Sequence, residues 1–288
     1  MDIANLVKQA RAAFSMLSAD DVVGRAEKPV TVGLVADSSH AYAEMEDFLV
    51  PERTPRSVWR ARMSQVFRAN DSEVPSRVDV ILYEPGVACP ADAFTYQRGN
   101  PEATVREIVQ EKRGLSLALA RQFPVFRKQV IDGIIHEIAK ENALFALATS
   151  LPNIVPNFLE LPWIFGEFAS DTVFLTANQV RMAFYIAAAA GRKVGFARQK
   201  GELLTIGAGA FGWRAIAREL VSHIPLGGGL IPKAAIAYAG TFVVGKGLEF
   251  YEYGARQASL EERKQLYQQG LEHGRVFAQS QGPAQLRA

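Results

Sequence analysis

Residues 30–43 read Val-Thr-Val-Gly-Leu-Val-Ala-Asp-Ser-Ser-His-Ala-Tyr-Ala. The Val-rich run from Val30 to Val35 suits a buried parallel strand, and a helix-like stretch from Tyr42 to Leu49 follows it. A strand, a turn and a helix in that order is where a phosphate loop, G-x-x-x-x-G-K-[ST], belongs. There the backbone N–H groups cradle phosphates, the Lys neutralises them and the hydroxyl holds Mg²⁺. Here Ala36 stands at the first Gly, and Asp37, Ser38, Ser39 and His40 follow. Ala41 stands at the second Gly, Tyr42 at the Lys and Ala43 at the hydroxyl position. Each group the chemistry needs is missing, and Tyr42 is expected to fill the phosphate space. No Asn-Lys-x-Asp guanine-reading motif occurs. The stretch is either a nucleotide-free copy of a GTPase-like turn or an unrelated strand-to-helix turn capped by Asp37 or Ser38.

Working outward, Val78 to Tyr83 forms a second strand, closed by Pro85-Gly86 and Pro90. Between the strands lies a segment rich in Arg and Pro: Arg53, Pro55, Arg56, Arg60, Arg62 and Arg68. Only two strands are convincing, too few for a complete doubly wound nucleotide domain. Residues 29–112 therefore read as a small, truncated, degenerate GTPase-like α/β unit. Before it, residues 1–28 read as an N-terminal helix and linker, with Ile3, Leu6, Val7, Ala10, Phe14 and Leu17 at helical spacing. Asp2 and Lys8 leave no unbroken apolar run there, so a secretory signal is not expected. From about Glu107 the chain reads helical, interrupted at Pro124. Residues 113–254 are expected to form a mostly α-helical hairpin domain and 255–288 a polar C-terminal tail, with Ser259 to Glu262 resembling a helix start. The fold class expected is α+β.

Composition narrows the function. The 288 residues carry 32 Lys+Arg against 30 Asp+Glu, a formal net charge of +2, so no nucleic-acid partner is expected. The hydrophobic set makes up 49% and charged residues 22%, which calls for segments that are deeply buried or lipid-facing. One Cys excludes a disulfide framework and a cysteine-rich zinc site.

The apolar zones are Ala143 to Leu159, Met182 to Gly191 and Ile224 to Val244. Pro152, Pro156, Pro225 and Pro232 interrupt them, as does the Gly227-Gly228-Gly229 turn, so a simple membrane-spanning helix is not expected. Two Pro/Gly-broken turns, each leading into an apolar helix that ends in Gly (Gly191, Gly245), read as paired helical hairpins. Such hairpins either pack on one another in water or dip into one leaflet. Asn178, Gln179 and Arg181 lie within the second zone's helix, whose cap is Ser170 or Asp171. Polar groups there need partners on facing helices, as a register-fixing network or as a recognition site. Arg192, Lys193, Arg198 and Lys200 form a basic cluster, and Trp163, Phe165 and Phe168 an aromatic one. Both are lipid-facing candidates, with a solvated face and a core as the respective alternatives.

Catalytic patterns fail. His136 and Glu137 open an H-E-x-x-H pattern that Lys140 spoils; His40, His223 and His273 lack ligand spacing; there is no G-x-S-x-G elbow; and Cys89 sits in a loop without a motif. No catalytic residue, metal or cofactor is expected.

The stretches LPNIVPN (151–157), SDTVFLTANQVRMAFYIAAAAG (170–191), FGWRAIARELVSHIP (211–225) and GGGLIPKAAIAYAGTFVVG (227–245) resemble the domain of unknown function 697. This is a helical bacterial family that includes YcjF-like membrane proteins and domains fused behind Era-type GTPases. The resemblance covers roughly Leu115 to Gly254. It implies a GTPase-associated, membrane-associated helical module without known chemistry, at the cytoplasmic side of the inner membrane. Its partner would be membrane lipid or a protein, a GTPase among the options, with oligomerisation open. The front half lacks the nucleotide motifs, so a pseudo-GTPase is expected. A soluble cytosolic scaffold or oligomer with buried apolar helices is the alternative.

Overall fold

Alternation of Val and Leu with helix-forming stretches builds a four-stranded, wholly parallel sheet in the order β2-β1-β3-β4. The computed structural model describes residues 19–69, 71, 75–149, 171–195, 198–199, 230–254 and 256–281. Among them the chain runs α1 (Ala19–Ala26), β1 (Val32–Val35), α2 (Ser39–Leu49), α3 (Arg56–Met63), β2 (Val66–Arg68), β3 (Val80–Tyr83), β4 (Phe94–Thr95) and α4 (Pro101–Glu111). It continues with a 3₁₀ turn (Arg113–Leu115), α5 (Ser116–Gln122), a second 3₁₀ turn (Pro124–Phe126), α6 (Arg127–Ala148), α7 (Asp171–Ala189), α8 (Leu230–Gly254) and α9 (Leu260–Ser280). The architecture is mixed α and β.

The chain divides into two compact units. One holds residues 20–132 with 187–193; the other holds 1–19, 133–186 and 194–288. In the first, Val32 and Leu34 of β1 and Val80 and Leu82 of β3 are buried. Ala41, Tyr42, Met45 and Leu49, at helical spacing on α2, are buried with them. Register is fixed at the N-terminal ends of β1 and β3. There Thr31 N–H and Oγ1–H donate to the Asp79 carboxylate at 2.9 and 3.0 Å, and Asp79 N–H donates back to Thr31 Oγ1 at 3.2 Å. The sequence reading of two strands is short by two. β2 and β4 are three and two residues long, and β2 is only half-buried, so neither carries a hydropathy pattern; they exist through pairing with β1 and β3.

In the second unit, α6, α7 and α8 supply most of the core: Ile135, Ile138, Phe145, Phe174, Phe184, Tyr238 and Phe242 are buried, with a row of alanines. Phe145 and Phe174 stack at 4.0 Å between ring centroids. Gly191 ends α7 as expected. Its φ of +81° is the left-handed cap, with Arg192 N–H donating to Ala187 O and Gly191 N–H to Ala188 O. Gly245 does not end α8, which continues to Gly254. A Cβ there would lie 2.7 Å from Ile135 Cγ1 and 3.0 Å from Met182 Sδ, so this glycine admits close helix approach instead. Pro232 likewise leaves α8 intact, because it lies in the first turn, where an N–H has no helical partner to lose. The stretch read as a polar tail holds α9, whose capping box pairs Ser259 with Glu262. Among the described residues no helix is long and apolar enough to cross a membrane.

Candidate functional site

The sheet order places the reversal of chain direction at β1, since the chain leaves β1 for β2 on one side and returns to β3 on the other. Ligands of open parallel α/β sheets bind outside the carboxyl ends of the strands at such a switch point. In this chain that place is the turn Ala36-Asp37-Ser38 together with Glu84, the residue after β3.

The turn is short. α2 begins at Ser39, and Ser38, with extended φ −133° and ψ 148°, caps it by accepting from Ala41 N–H at 3.1 Å. Of the two caps the sequence offered, Ser38 is the one used. Tyr42 sits on the inner face of α2, 6% exposed, with the Arg68 guanidinium 5.3 Å from its ring centroid. Arg68 is held by Glu46 through two bonds of 2.6 and 2.9 Å.

The decisive group is Glu84. Its backbone N–H donates to Val35 O at 2.8 Å, and its carboxylate accepts from Asp37 N–H at 3.0 Å. An N–H at the carboxyl end of β1, of the kind a phosphate would use, is satisfied by a carboxylate of the chain itself. Arg98 lies 3.9 Å from Glu84 and binds Glu44 at 2.7 Å, so this arginine is shared between two acids. A phosphate entering here would meet Asp37, Glu44 and Glu84. Neither Glu84 nor Arg98 was singled out from the sequence; an acid directly after the Val-Ile-Leu-Tyr strand was the available signal.

No family model, curated protein or solved structure matches this chain.

The helical unit carries the polar residues the sequence singled out. Asn178 Nδ2 donates to Asn142 Oδ1 at 2.8 Å, Asn142 Nδ2 donates to Thr241 Oγ1 at 2.7 Å, and Thr241 Oγ1 donates to Ala237 O at 2.9 Å. This ladder crosses α7, α6 and α8, and its three side chains are buried. Arg181 is engaged separately, in an ion pair with Glu141 that is about four-fifths buried. Burial holds the Glu141 carboxyl above its ordinary value, Glu137 adds to that, and Arg181 opposes it. Gln179 is buried outside the ladder. Replacing Asn178 by Ala removes the first rung and leaves Asn142 Oδ1 without that donor in a buried place. The expected loss is about 2 kcal/mol of stability, read as a shift in urea midpoint.

His136 Nδ1 lies 2.5 Å from Tyr238 Oη, and its ring packs 5.4 Å from both Phe242 and His273. Burial pushes the Tyr238 phenol up to about 12, so it stays protonated at neutral pH. His136 is thus bound to Tyr238, and Arg181 to Glu141. Among the described residues no group of three His, Cys, Asp or Glu side chains is arranged to hold a metal ion.

Of the lipid-facing candidates, Arg192, Lys193 and Arg198 are exposed. Trp163, Phe165, Phe168 and Lys200 lie outside the described residues, as does the Gly227-Gly228-Gly229 turn.

Proposed function

We propose that this chain is a non-catalytic module: a nucleotide-free, GTPase-like α/β unit joined to a helical unit, acting through association with a membrane surface or a protein partner rather than through turnover. The observation that carries the reading is the Glu84 carboxylate on Asp37 N–H. A wholly parallel sheet with its switch point at β1 supports the GTPase-like part of this reading. The turn itself is three residues long, carries no lysine, and has an N–H occupied by an internal anion. The resemblance of residues 115–254 to a GTPase-associated helical family belongs to this proposal and supplies its membrane side, at the cytoplasmic face of the inner membrane. Titration with fluorescent GTP and GDP analogues in the presence of Mg²⁺ tests it. No saturable binding is expected at ligand concentrations up to about 1 mM, whereas a stoichiometric complex would sink the pseudo-GTPase reading.

A second reading is supported by the burial of the apolar helices' own surfaces: Val180, Ala183, Phe184 and Ala187 on α7, and Ala234, Tyr238, Ala239 and Phe242 on α8. In that reading the chain is a soluble scaffold and the apolar stretches are its core. Recovery of the untagged protein in the soluble fraction without detergent favours it, and recovery in the membrane pellet favours the first.

A further inference from the structure

The Arg- and Pro-rich segment takes no part in the site above, and its charge is one-sided. Residues 51–68 hold Arg53, Arg56, Arg60, Arg62 and Arg68 against one acid, Glu52: a local net of +4 in a chain whose total is +2. Arg68 is neutralised by Glu46. The guanidinium groups of Arg53, Arg56 and Arg60 are exposed and make no hydrogen bond or ion pair among the described residues. They belong to α3 and its approach, and α3 buries none of its residues. Val58 and Trp59, on the same helix, are 38% and 37% exposed.

The surface extends beyond α3. Arg62 lies close enough to Arg127 for the two like charges to interact, and burial together with that neighbour lowers the Arg62 pKa. A Cβ at Gly191 would lie 3.2 Å from Arg127 Nη2, which places the turn Gly191-Arg192-Lys193 beside the same guanidinium. Arg121 Nη1 donates to Arg192 O at 2.9 Å and fixes that turn. Arg127 thus has Arg62 of α3 as one like-charged neighbour and the Gly191-Arg192-Lys193 turn as another, all within the sheet-containing unit.

We propose that this face, α3 with the Arg192-Lys193 turn, docks on an anionic lipid surface. The inference rests on the membrane-association reading above and locates it on the sheet-containing unit. Charge complementarity selects an anionic occupant. The exposed Val58 selects lipid over nucleic acid: an aliphatic side chain gains from the headgroup boundary and has nothing to pair with on a base or phosphate. Trp59, 37% exposed on the same helix, suits the same headgroup boundary.

The test is flotation of the full chain on phosphatidylcholine vesicles with and without a quarter of phosphatidylglycerol, for the wild type and for Arg56→Glu/Arg60→Glu. Binding to the anionic vesicles alone is expected. It should fall about thirtyfold or more in the double variant: about fivefold for each basic residue lost near an anionic surface, with repulsion from the two new carboxylates added. Both positions are exposed, so the melting temperature stays at the wild-type value; Val58→Ser, equally exposed, is the second variant and weakens binding without changing charge. Wild-type binding that both variants retain overturns the assignment of this face and leaves the membrane reading standing. A wild type that binds neither vesicle overturns both. Tighter binding to a single-stranded oligonucleotide than to the anionic vesicles, lost in the double variant, overturns lipid as the occupant.

Discussion

Arg181→Met lowers stability by about 2–3 kcal/mol at neutral pH, and acid restores much of the loss. Arg181 is the countercharge of Glu141, and each side chain of the pair is about one-fifth exposed. Breaking a fully buried ion pair by removing one partner costs about 3–5 kcal/mol, and the residual solvent contact here reduces that. The pair is not ideal, since Arg181 Nε is buried without a hydrogen-bond partner. The pH dependence has a definite sign. The folded-state pKa of Glu141 is raised by burial, so the folded state holds the proton more tightly than the unfolded chain does. The contribution of this group to stability is greatest below its unfolded pKa and is lost as pH rises through the folded value. Removing Arg181 deletes an influence that lowers that value, so the window widens toward neutral pH. Urea denaturation between about pH 4 and about pH 8 reads it: the stability difference between variant and wild type should grow with pH. Glu141→Leu combined with Arg181→Met should recover most of the loss, because an apolar pair of similar volume replaces two desolvated charges. A deficit in Arg181→Met that is the same at both ends of the pH range would refute Glu141 as the group responsible.

The need for a partner at Arg181 was legible in the sequence; its identity was not. Glu141 is 40 residues away and Asn142, the partner of Asn178, is 36 away, on a helix whose facing side is fixed only by packing. β1 and β3 announce themselves because a strand buried on both faces must be apolar throughout. β2 and β4 are too short to leave a pattern, so the strand order and its switch point lay beyond the sequence. The role of Glu84 lay beyond it for the same reason, since it depends on β3 lying next to β1. The absence of a phosphate-loop motif at 36–43 was legible because it is a statement about residue types. Where Tyr42 goes was not, because the start of α2 at Ser39 decides its facing. The start of α9 was legible at Ser259 to Glu262, but its packed face was hidden for a different physical cause. Its packed stripe is Gly270, Gly274 and Ala278 beside one Tyr267, and glycine and alanine contribute almost nothing to a hydropathy pattern.

That stripe sets the second large effect: Gly274→Leu is expected to undock α9 from α8 and to cost about 3 kcal/mol or more. A Cβ at position 274 would lie 2.7 Å from Tyr238 Cβ, 2.9 Å from Ala235 Cα and 3.0 Å from Ala235 O; one at position 270 would lie 2.8 Å from Ala239 Cα. These neighbours are backbone or the root of a side chain, so no rotamer change relieves the clash and the helices must separate. Separation uncovers Tyr267, which is 2% exposed in the folded chain and packs with Ala239, Val243 and Leu271. Alanine makes the sharper test of sign. Gly→Ala in a helix interior gains up to about 1 kcal/mol from propensity, and overpacking against a fixed backbone costs about 1–3 kcal/mol. Gly274→Ala should therefore lower the melting temperature. Gly247→Ala, in α8 with nothing within 4 Å of the added carbon, should raise it. Calorimetry of the two variants reads opposite shifts if close backbone approach holds α9 on α8. Shifts of the same upward sign would mean that α9 is not held there, and the exposed end of the chain would then be open to another partner.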